Sequence, residues 1–298
     1  MNDHRLTRAN APSHTMADAY RGFKPKNLPW VQDGVRGTVM TMPSAMIDQA
    51  ARSPSPPVRR RIGLLGHGRI GGAVARAVAS GRAGAWEVAA ILSRGGSGIA
   101  GAPHHADPER FFAVPVDLYL ECAGPQALAR YGAIALERAD VWSVSGVALI
   151  DDALRARLQI AGERFGHRLR LVAGAAGGLD AVQALALDPE LELQVGIVAP
   201  ERCPSFAASV REAARRLPNG VNLAVAAALA GPGPDRTRVE IIADPDPMNH
   251  AIHVQARSAL GRFDSQLRPL TDTTRDRHVV AASLLAALRQ ADQVIWVG

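Results

Sequence analysis

The sequence predicts an α/β protein in which a doubly wound parallel sheet is followed by a second, α+β domain with an open mixed sheet. From Arg61 onward, short apolar runs alternate with segments of helical periodicity, which is the pattern of a parallel sheet with crossover helices. The pattern changes after a glycine cluster at residues 174–179. We therefore expect a first domain at residues 61–174 and a second at residues 175–275, with a last helix at 276–291 that returns to the first domain.

The strongest motif is a glycine-rich turn with the sequence GHGRIGG. Gly66, Gly68 and Gly71 follow an apolar run and open an amphipathic one, in the spacing of a dinucleotide-binding (Rossmann) turn. The first glycine permits the tight turn, the second lets a pyrophosphate approach the backbone, and the third lets the helix pack on the strand. Arg69 and Ile70 begin that helix, whose free N–H groups attract phosphates. We expect a dinucleotide site here rather than an ordinary glycine-rich turn.

Apolar runs predict the other strands of the first domain, and helical spacing predicts the helices. The strands are expected at residues 86–93, 114–123, 140–145 and 168–172, and the helices at residues 69–80, 126–137 and 151–165. The last of these helices begins with two aspartates, which the positive end of the helix dipole favours. In the second domain, helices are expected at 180–187, 209–216 and 222–229, and strands at 191–198, 238–243 and 252–257.

The positive charge is concentrated in the first sixty residues. The net charge is +6, and residues 1–60 hold nine Arg or Lys against four Asp, together with seven prolines. A basic stripe with interleaved aromatic residues, which a nucleic-acid groove requires, is missing from the rest of the sequence. We expect residues 1–60 to be a poorly ordered extension, with Met40 or Met46 as alternative starts, and we expect no nucleic-acid partner.

The composition also indicates the cellular compartment of the protein and whether it binds a metal. The sequence has no apolar run of membrane-spanning length and no secretory signal, so we expect a cytoplasmic protein that does not bind a membrane. The two cysteines, Cys122 and Cys203, are too few for a disulfide framework or a zinc site. We therefore expect no metal.

The end of the second predicted strand indicates which nucleotide binds. An Asp or Glu about twenty residues after the glycine turn binds the ribose hydroxyls of NAD in such folds. Here Ser93 and Arg94 stand in that region, and they can hold a 2′-phosphate instead. We expect NADP or NAD, with NADP favoured. The alternative is that Arg94 only caps a solvent-exposed loop.

Four further segments carry a family resemblance. They are ECAGPQAL from Glu121, GAAGGLDA from Gly174, VNLAVAAALAG from Val221 and IIADP from Ile241. With the glycine turn they resemble the L-aspartate dehydrogenases, in order, over most of residues 61–290. The resemblance implies a Rossmann domain, a catalytic domain with an open sheet, and usually a homodimer. It also implies oxidation of L-aspartate to iminoaspartate, which hydrolyses to oxaloacetate and ammonia, in NAD biosynthesis.

The resemblance also implies roles for particular residues. Ala175 is expected beside the cofactor, and Asn222 is expected to offer its amide to nicotinamide or substrate. Two alternatives remain open, because Ala175 can simply permit a tight turn and Asn222 can be a helix N-cap. The ends of the neighbouring strands complete the expected cofactor site with Cys122, Ala123, Gly124 and Ser145.

The general acid/base catalyst that the resemblance implies is a histidine in a pattern similar to Asn-x-His-x-Ile. A gapless match from Ala243 to Gly261 puts that histidine at Ile252, whereas a shorter loop aligns His250. We expect His250 to point into a cleft and act, with His253 as second choice, because a neutral imidazole with a pKa near ~6.5 accepts an ammonium proton near neutral pH. The alternative is that both are ordinary strand or surface histidines.

The substrate and the activity have alternatives as well. Family members usually carry a longer segment with Gly-Arg-Lys-Pro where this chain has residues 198–204, and the lost lysine bears on carboxylate recognition. A dicarboxylate needs cations or N–H donors, and the candidates are Arg202, Arg211, Arg215 and Arg216. The alternatives are a dehydrogenase or imine reductase for another small amino acid, and a catalytically degenerate NAD(P)-binding homologue.

Overall fold

The computed structural model describes residues 59–95, 101–172, 174–268 and 278–295. The expected N-terminal extension, apart from its last two residues, lies outside this part of the chain, as do Met40 and Met46. Two β-sheets form in the described part, one with six strands and one with five.

The first sheet is parallel throughout, in the order β3-β2-β1-β4-β5-β6. Its strands are β1 (Arg60–Leu65), β2 (Trp86–Leu92), β3 (His104–His105), β4 (Leu118–Glu121), β5 (Asp140–Ser143) and β6 (Leu169–Leu171). The chain runs outward from β1 to β3 and then returns to place β4 on the other side of β1. This reversal opens a crevice at the carboxyl ends of β1 and β4, where ligands bind in doubly wound sheets.

Helices connect these strands: α1 (Arg69–Ala79), α2 (Pro108–Phe112), α3 (Pro125–Leu136) and α4 (Asp152–Phe165). A 3₁₀ turn at Gly146–Ile150 precedes α4. Asp151, one of the two aspartates expected at this helix start, is its N-cap and accepts hydrogen bonds from the backbone N–H groups of Ala153 and Leu154.

The second sheet is mixed, in the order β11-β10-β7-β9-β8, and only β7 and β9 in it pair in parallel. Its strands are β7 (Glu192–Pro200), β8 (Phe206–Ser209), β9 (Arg238–Asp244), β10 (Ala251–Ser258) and β11 (Gly261–Leu267). The helices α5 (Leu179–Leu185), α6 (Val210–Arg216) and α7 (Asn222–Ala230) share a buried core with alternate residues of β7, β9 and β10. The other residues of these strands face away from that core, and Ile242 among them is 48% exposed.

The last helix, α8 (Val279–Ala291), lies on the first sheet. Its apolar side, with Leu284 and Leu288, shares a core cluster with α1 and β1. The indole N–H of Trp86 donates to the Leu288 carbonyl at 3.0 Å, and the Asp292 carboxylate accepts from the Ala85 N–H at 2.8 Å.

Several elements differ from the prediction for identifiable reasons. The strand expected at 114–123 is cut to β4, because Pro115 lacks an N–H and Asp117 accepts from the Arg61 N–H at 2.6 Å. Strands β3, β8 and β11 and helix α2 were not predicted. Strand β11 carries mostly polar residues at the sheet edge, so its sequence has little apolar signal. Among the described helices, none has the length and apolar character that a membrane span requires.

Candidate active site

The glycine turn has the geometry of a phosphate cradle. Gly66 has a φ of +95°, and a Cβ added to it would lie 2.8 Å from the Ala123 backbone nitrogen. A Cβ on Gly71 would lie 2.1 Å from the Gly66 carbonyl oxygen, so helix and strand pack too closely for any side chain there. A Cβ on Gly68 would meet no atom within 4 Å. The space in front of α1, which starts without a side-chain cap, is therefore open to a phosphate.

A buried carboxyl group shapes the loop after β4. Glu121 is 1% exposed and accepts hydrogen bonds from the Ala123 N–H at 2.7 Å and the Gly124 N–H at 2.8 Å. Its other oxygen accepts from the Ser143 hydroxyl at 2.6 Å, and the Ser143 Oγ accepts from the Ser145 N–H at 3.0 Å. Burial raises the pKa of Glu121, and these hydrogen bonds act in the opposite direction.

Two cavities lie along this edge of the sheet and share Cys122 and Ala123 in their walls. The β2-side cavity has a volume of about 700 Å³ and runs from the glycine turn past the end of β2. The β5-side cavity has a volume of about 350 Å³ and lies between the ends of β4 and β5 and the start of α7.

The two cavities divide the predicted cofactor residues between them. Those in the wall of the β2-side cavity are Gly66, Gly68, Ser93, Arg94, Cys122 and Ala123. Those in the wall of the β5-side cavity are Ile70, Cys122, Ala123, Gly124, Ser145, Ala175 and Asn222. Arg69 and Gly71 belong to the first turn of α1 and line neither cavity. The fold thus brings together predicted residues from six separate segments at one edge of the sheet.

Asn222 connects α7 to the 3₁₀ turn of the first domain. Its Oδ1 accepts a hydrogen bond from the Val147 N–H at 2.9 Å. The side chain makes no capping bond, and Val221 occupies the N-cap position, so the N-cap alternative is wrong. Because a backbone N–H requires an oxygen partner, the amide orientation is fixed, and the Nδ2 group is the donor left for a ligand in the β5-side cavity.

Neither of the predicted histidines, His250 and His253, lines the β5-side cavity. From this part of the chain, Ile252 lies in the cavity wall instead. His250 precedes β10, and its Nε2 lies 3.1 Å from the Asp244 carbonyl oxygen, so the ring turns back on its own loop instead of pointing into the cleft. His253 faces the opposite side of the sheet, against Gly196, with its Nε2 3.3 Å from the amide nitrogen of Gln266. The alternation of side chains along a strand explains why Ile252 and His253 point to different faces.

Comparison with known proteins identifies the family. The family described as "Aspartate dehydrogenase, C-terminal" matches residues 181–291, and the family described as "Homoserine dehydrogenase, NAD binding domain" matches residues 66–172. L-aspartate dehydrogenase 1 of Bordetella pertussis is 35% identical over 243 residues, which cover 76% of this chain and 94% of the relative. The chain belongs to the L-aspartate dehydrogenase family. L-aspartate dehydrogenase of Ruegeria pomeroyi is 36% identical over 201 residues, covering 60% of this chain and 73% of the relative.

A solved structure agrees with the fold of this L-aspartate dehydrogenase family member. Aspartate dehydrogenase from Thermotoga maritima superimposes with a TM-score of 0.67 at 24% identity, covering 80% of this chain and 99% of that one. The predicted fold class, with its Rossmann-type sheet and a second mixed sheet, is confirmed, as is the family resemblance. Family membership makes the chain an oxidoreductase that uses NAD or NADP.

The β5-side cavity of this family member is nearly uncharged. Among its described lining residues, the ionisable one is Cys122, and burial together with the adjacent Glu121 raises the pKa of that thiol well above its usual range. The remaining polar side chains in the wall belong to Ser145, Asn219 and Asn222. Residues 269–277, which include two Asp and two Arg, lie outside the described part.

The arginines expected to bind a dicarboxylate are elsewhere. Arg211 pairs with Asp235 at 2.6 Å and donates to the Ile150 carbonyl at 2.8 Å. Arg216 pairs with Glu212 on its own helix. Arg202 and Arg215 do not line the β5-side cavity either. The segment at residues 198–204 contains the end of β7 and the turn that follows it, in which the Cys203 N–H donates to the Pro200 carbonyl.

Sequence reasoning missed three contributors to these cavities. Glu121 was noticed as part of a motif, but its anchoring role was not. A carboxylate at the end of an apolar strand is a signal that could have revealed it, since such a group needs several donors when buried. His67 lies within the glycine turn, but the motif specifies only its glycines. Arg130 was not predicted because no local pattern joins α3 to that turn.

Proposed function

We propose that the protein oxidises L-aspartate to iminoaspartate, which hydrolyses to oxaloacetate and ammonia, with NAD or NADP as the hydride acceptor. The observation that carries the proposal is the junction of the two cavities at Cys122 and Ala123, which joins a nucleotide cavity to a small one closed by the second domain. The 94% coverage of an L-aspartate dehydrogenase supports the same reaction. We further propose a role in NAD biosynthesis.

The proposed roles of the chain's residues follow from their contacts. The start of α1 and the open space at Gly68 hold the diphosphate, and the nicotinamide, when bound, supplies the carbon that accepts the hydride. Asn222 donates its Nδ2 N–H to a carbonyl or carboxylate in the β5-side cavity, since its oxygen is engaged by Val147. Apolar wall residues, such as Leu223 and Ile252, keep water away from the reacting carbon.

His250 remains the proposed proton acceptor. It lies two residues before Ile252, whereas His253 faces the other side of the sheet. Its ring has to leave the Asp244 carbonyl, 3.1 Å away, in order to reach the cavity. Loss of a general base typically costs about 10²–10⁴-fold in rate. We therefore expect that cost in His250→Ala, and little change in the matched control His253→Ala.

A spectrophotometric assay tests the reaction. NADH or NADPH oxidation is followed with oxaloacetate and ammonia, and reduction of either cofactor is followed with L-aspartate, in wild type and both histidine variants. The proposal expects aspartate-dependent turnover. Full rate in His250→Ala would remove this residue from the mechanism, and absence of turnover with L-aspartate despite nucleotide binding would refute the substrate.

A second candidate is a dehydrogenase or imine reductase for a less charged amino acid. It is favoured by the described wall of the β5-side cavity, which offers neutral donors but no cation for a second carboxylate. Turnover of a panel of amino acids, with alanine and asparagine beside aspartate, separates the two candidates.

We also infer that the protein works in the cytoplasm as a homodimer. The homodimer rests on the family resemblance, and the cytoplasm on the lack of an apolar run of membrane-spanning length in the sequence. Light scattering coupled to size exclusion tests the assembly by its mass, and a mass equal to that of one chain would contradict it.

A further inference from the structure

The 3₁₀ turn at Gly146–Ile150 joins the two sheets of the protein. It follows β5 of the first sheet, yet Val147 and Ile150 pack against the buried cluster formed by the second sheet and its helices. A Cβ added to Gly146 would lie 2.7 Å from the Asn222 carbonyl oxygen, so the turn and the start of α7 are in direct contact. Movement of this turn would therefore displace the Val147 N–H, which is the group that orients the amide of Asn222.

Arg211 of α6 holds the other end of this turn. Its Nη1 donates to the Ile150 carbonyl at 2.8 Å and lies 3.5 Å from Asp152 Oδ2. Its Nε and Nη2 donate to the two carboxylate oxygens of Asp235 at 2.6 and 2.9 Å. The guanidinium thus connects the last residue of the turn to the segment that precedes β9.

The alternative interpretation is that Arg211 forms an ordinary surface ion pair. Such pairs contribute little, because water and salt screen the charges. The Arg211 side chain, however, is only 19% exposed, and one of its acceptors is a main-chain carbonyl from the first sheet's connection. The paired bonds to Asp235 also fix the plane of the guanidinium, and with it the direction of the remaining N–H groups. These contacts favour a role in holding the turn.

We propose that Arg211 is a positioning residue for the β5-side cavity, because it fixes the 3₁₀ turn that orients the amide of Asn222. Arg211 does not line this cavity, so it acts through the turn. Loss of its contact would free the Ile150 end of the turn and weaken the hydrogen bond at Val147. The proposal rests on the donor role of Asn222 in the proposed function, and its first test requires no turnover.

Amide hydrogen exchange measures this link without a substrate. The probe is the Val147 N–H, whose acceptor is the Asn222 amide oxygen, followed by NMR on the full chain. The variant is Arg211→Met, which keeps an apolar stem but removes the guanidinium. Arg216→Met is the matched control, since Arg216 lies on the same helix and pairs with Glu212 of that helix. The amides of β9 report any global loss of stability.

We expect Arg211→Met to raise the exchange rate of the Val147 N–H about 10- to 100-fold, as for loss of a hydrogen bond from a charged donor, and the control to leave it unchanged. An unchanged rate at Val147, or an equal rise at Val147 and throughout β9, would overturn the proposal. Asp235→Asn decides the question if Arg211→Met does not fold. It removes the charge that aligns the guanidinium, so the Val147 rate should rise about threefold or more, and an unchanged rate would overturn the proposal.

Kinetics provide the functional readout, with whichever amino acid the wild type oxidises. Arg211→Met should lower kcat about 10- to 100-fold, because the Asn222 donor is misplaced. The NADPH dissociation constant should stay within about twofold, since Arg211 does not line the β2-side cavity. In an Asn222→Asp background, Arg211→Met should cost less than about threefold, and full additivity of the two losses would overturn the route through Asn222. Absence of turnover in the wild type would refute the proposed function and leave the exchange result unaffected.

Discussion

Replacing Glu121 by alanine tests whether one buried carboxyl group holds the loop between the two cavities. In the native protein, this group accepts hydrogen bonds from two backbone N–H groups and from the Ser143 hydroxyl. Alanine leaves the Ser143 hydroxyl, which is fully buried, without its acceptor. The N–H groups of Ala123 and Gly124 lie beside the cavities, where water can replace part of what they lose.

The magnitude follows from these contacts. The stranded Ser143 hydroxyl costs about 1–3 kcal/mol, and the two partly hydrated N–H groups together cost about 1 kcal/mol. The void left by the missing atoms adds about 1 kcal/mol. We therefore expect Glu121→Ala to lower the free energy of unfolding by about 3–5 kcal/mol. Glu121→Gln keeps an oxygen for the N–H groups and leaves no void, so we expect it to lose only the acceptor of the Ser143 hydroxyl, at a cost of about 1–3 kcal/mol.

Urea unfolding at pH 7.5 measures these differences, with Glu163→Ala on the exposed face of α4 as the control. A loss below about 1 kcal/mol in Glu121→Ala would refute the anchoring role. A pH series adds a second check. Because the folded-state pKa of Glu121 is raised, the folded protein binds the proton more tightly than the unfolded chain. The stability of wild type relative to Glu121→Gln should therefore fall as pH rises through the folded-state pKa and be highest below about 4.3.

Four other substitutions have distinct expected outcomes. Gly71→Ala should destabilise the fold by about 2 kcal/mol or more, because its Cβ meets a backbone oxygen, and thermal unfolding measures this loss. Gly68→Ala should fold normally but lose nucleotide affinity, which NADPH binding measures. Asn222→Asp keeps the oxygen that accepts from the Val147 N–H but removes the side-chain N–H donor, so we expect native stability with a large loss of kcat/KM. An unchanged kcat/KM would exclude the proposed donor role. In the His250→Ala background, Ile252→His adds an imidazole to the cavity wall and should restore a limb near pH ~6.5 in the rate profile. An unaltered profile would contradict the position assigned to this side chain.

The nucleotide half of the fold was predictable because its signals are local. The glycine spacing depends on contacts between neighbouring turns of the chain, such as Gly71 against Gly66, and it reports directly on the strand–turn–helix geometry. The alternation of apolar runs likewise located β1, β2 and β5 close to their observed bounds. Edge strands such as β11 escaped detection because one strand at the rim of a sheet buries few side chains.

The composition of the β5-side cavity was less predictable, because it depends on side-chain direction. Asn222 was noticed, but its amide orientation is set by Val147, which lies 75 residues earlier in the chain. His250 was expected to point into the cleft, yet a 3₁₀ turn before β10 directs its ring toward Asp244. A shift of one or two residues at a strand end decides which side chain enters a cavity, and sequence patterns locate strand ends no better than that.

The placement of α8 on α1 has a consequence for how the protein is made. The core cluster that α1 shares with α8 includes Ala73 and Val74, which are synthesised before the second sheet. Their partner Leu284 is synthesised about two hundred residues later, so this apolar surface stays uncovered while the second sheet is still being translated. The nucleotide-binding half therefore begins before the second sheet and is completed after it, and a bound dinucleotide or a chaperone would protect it during that interval.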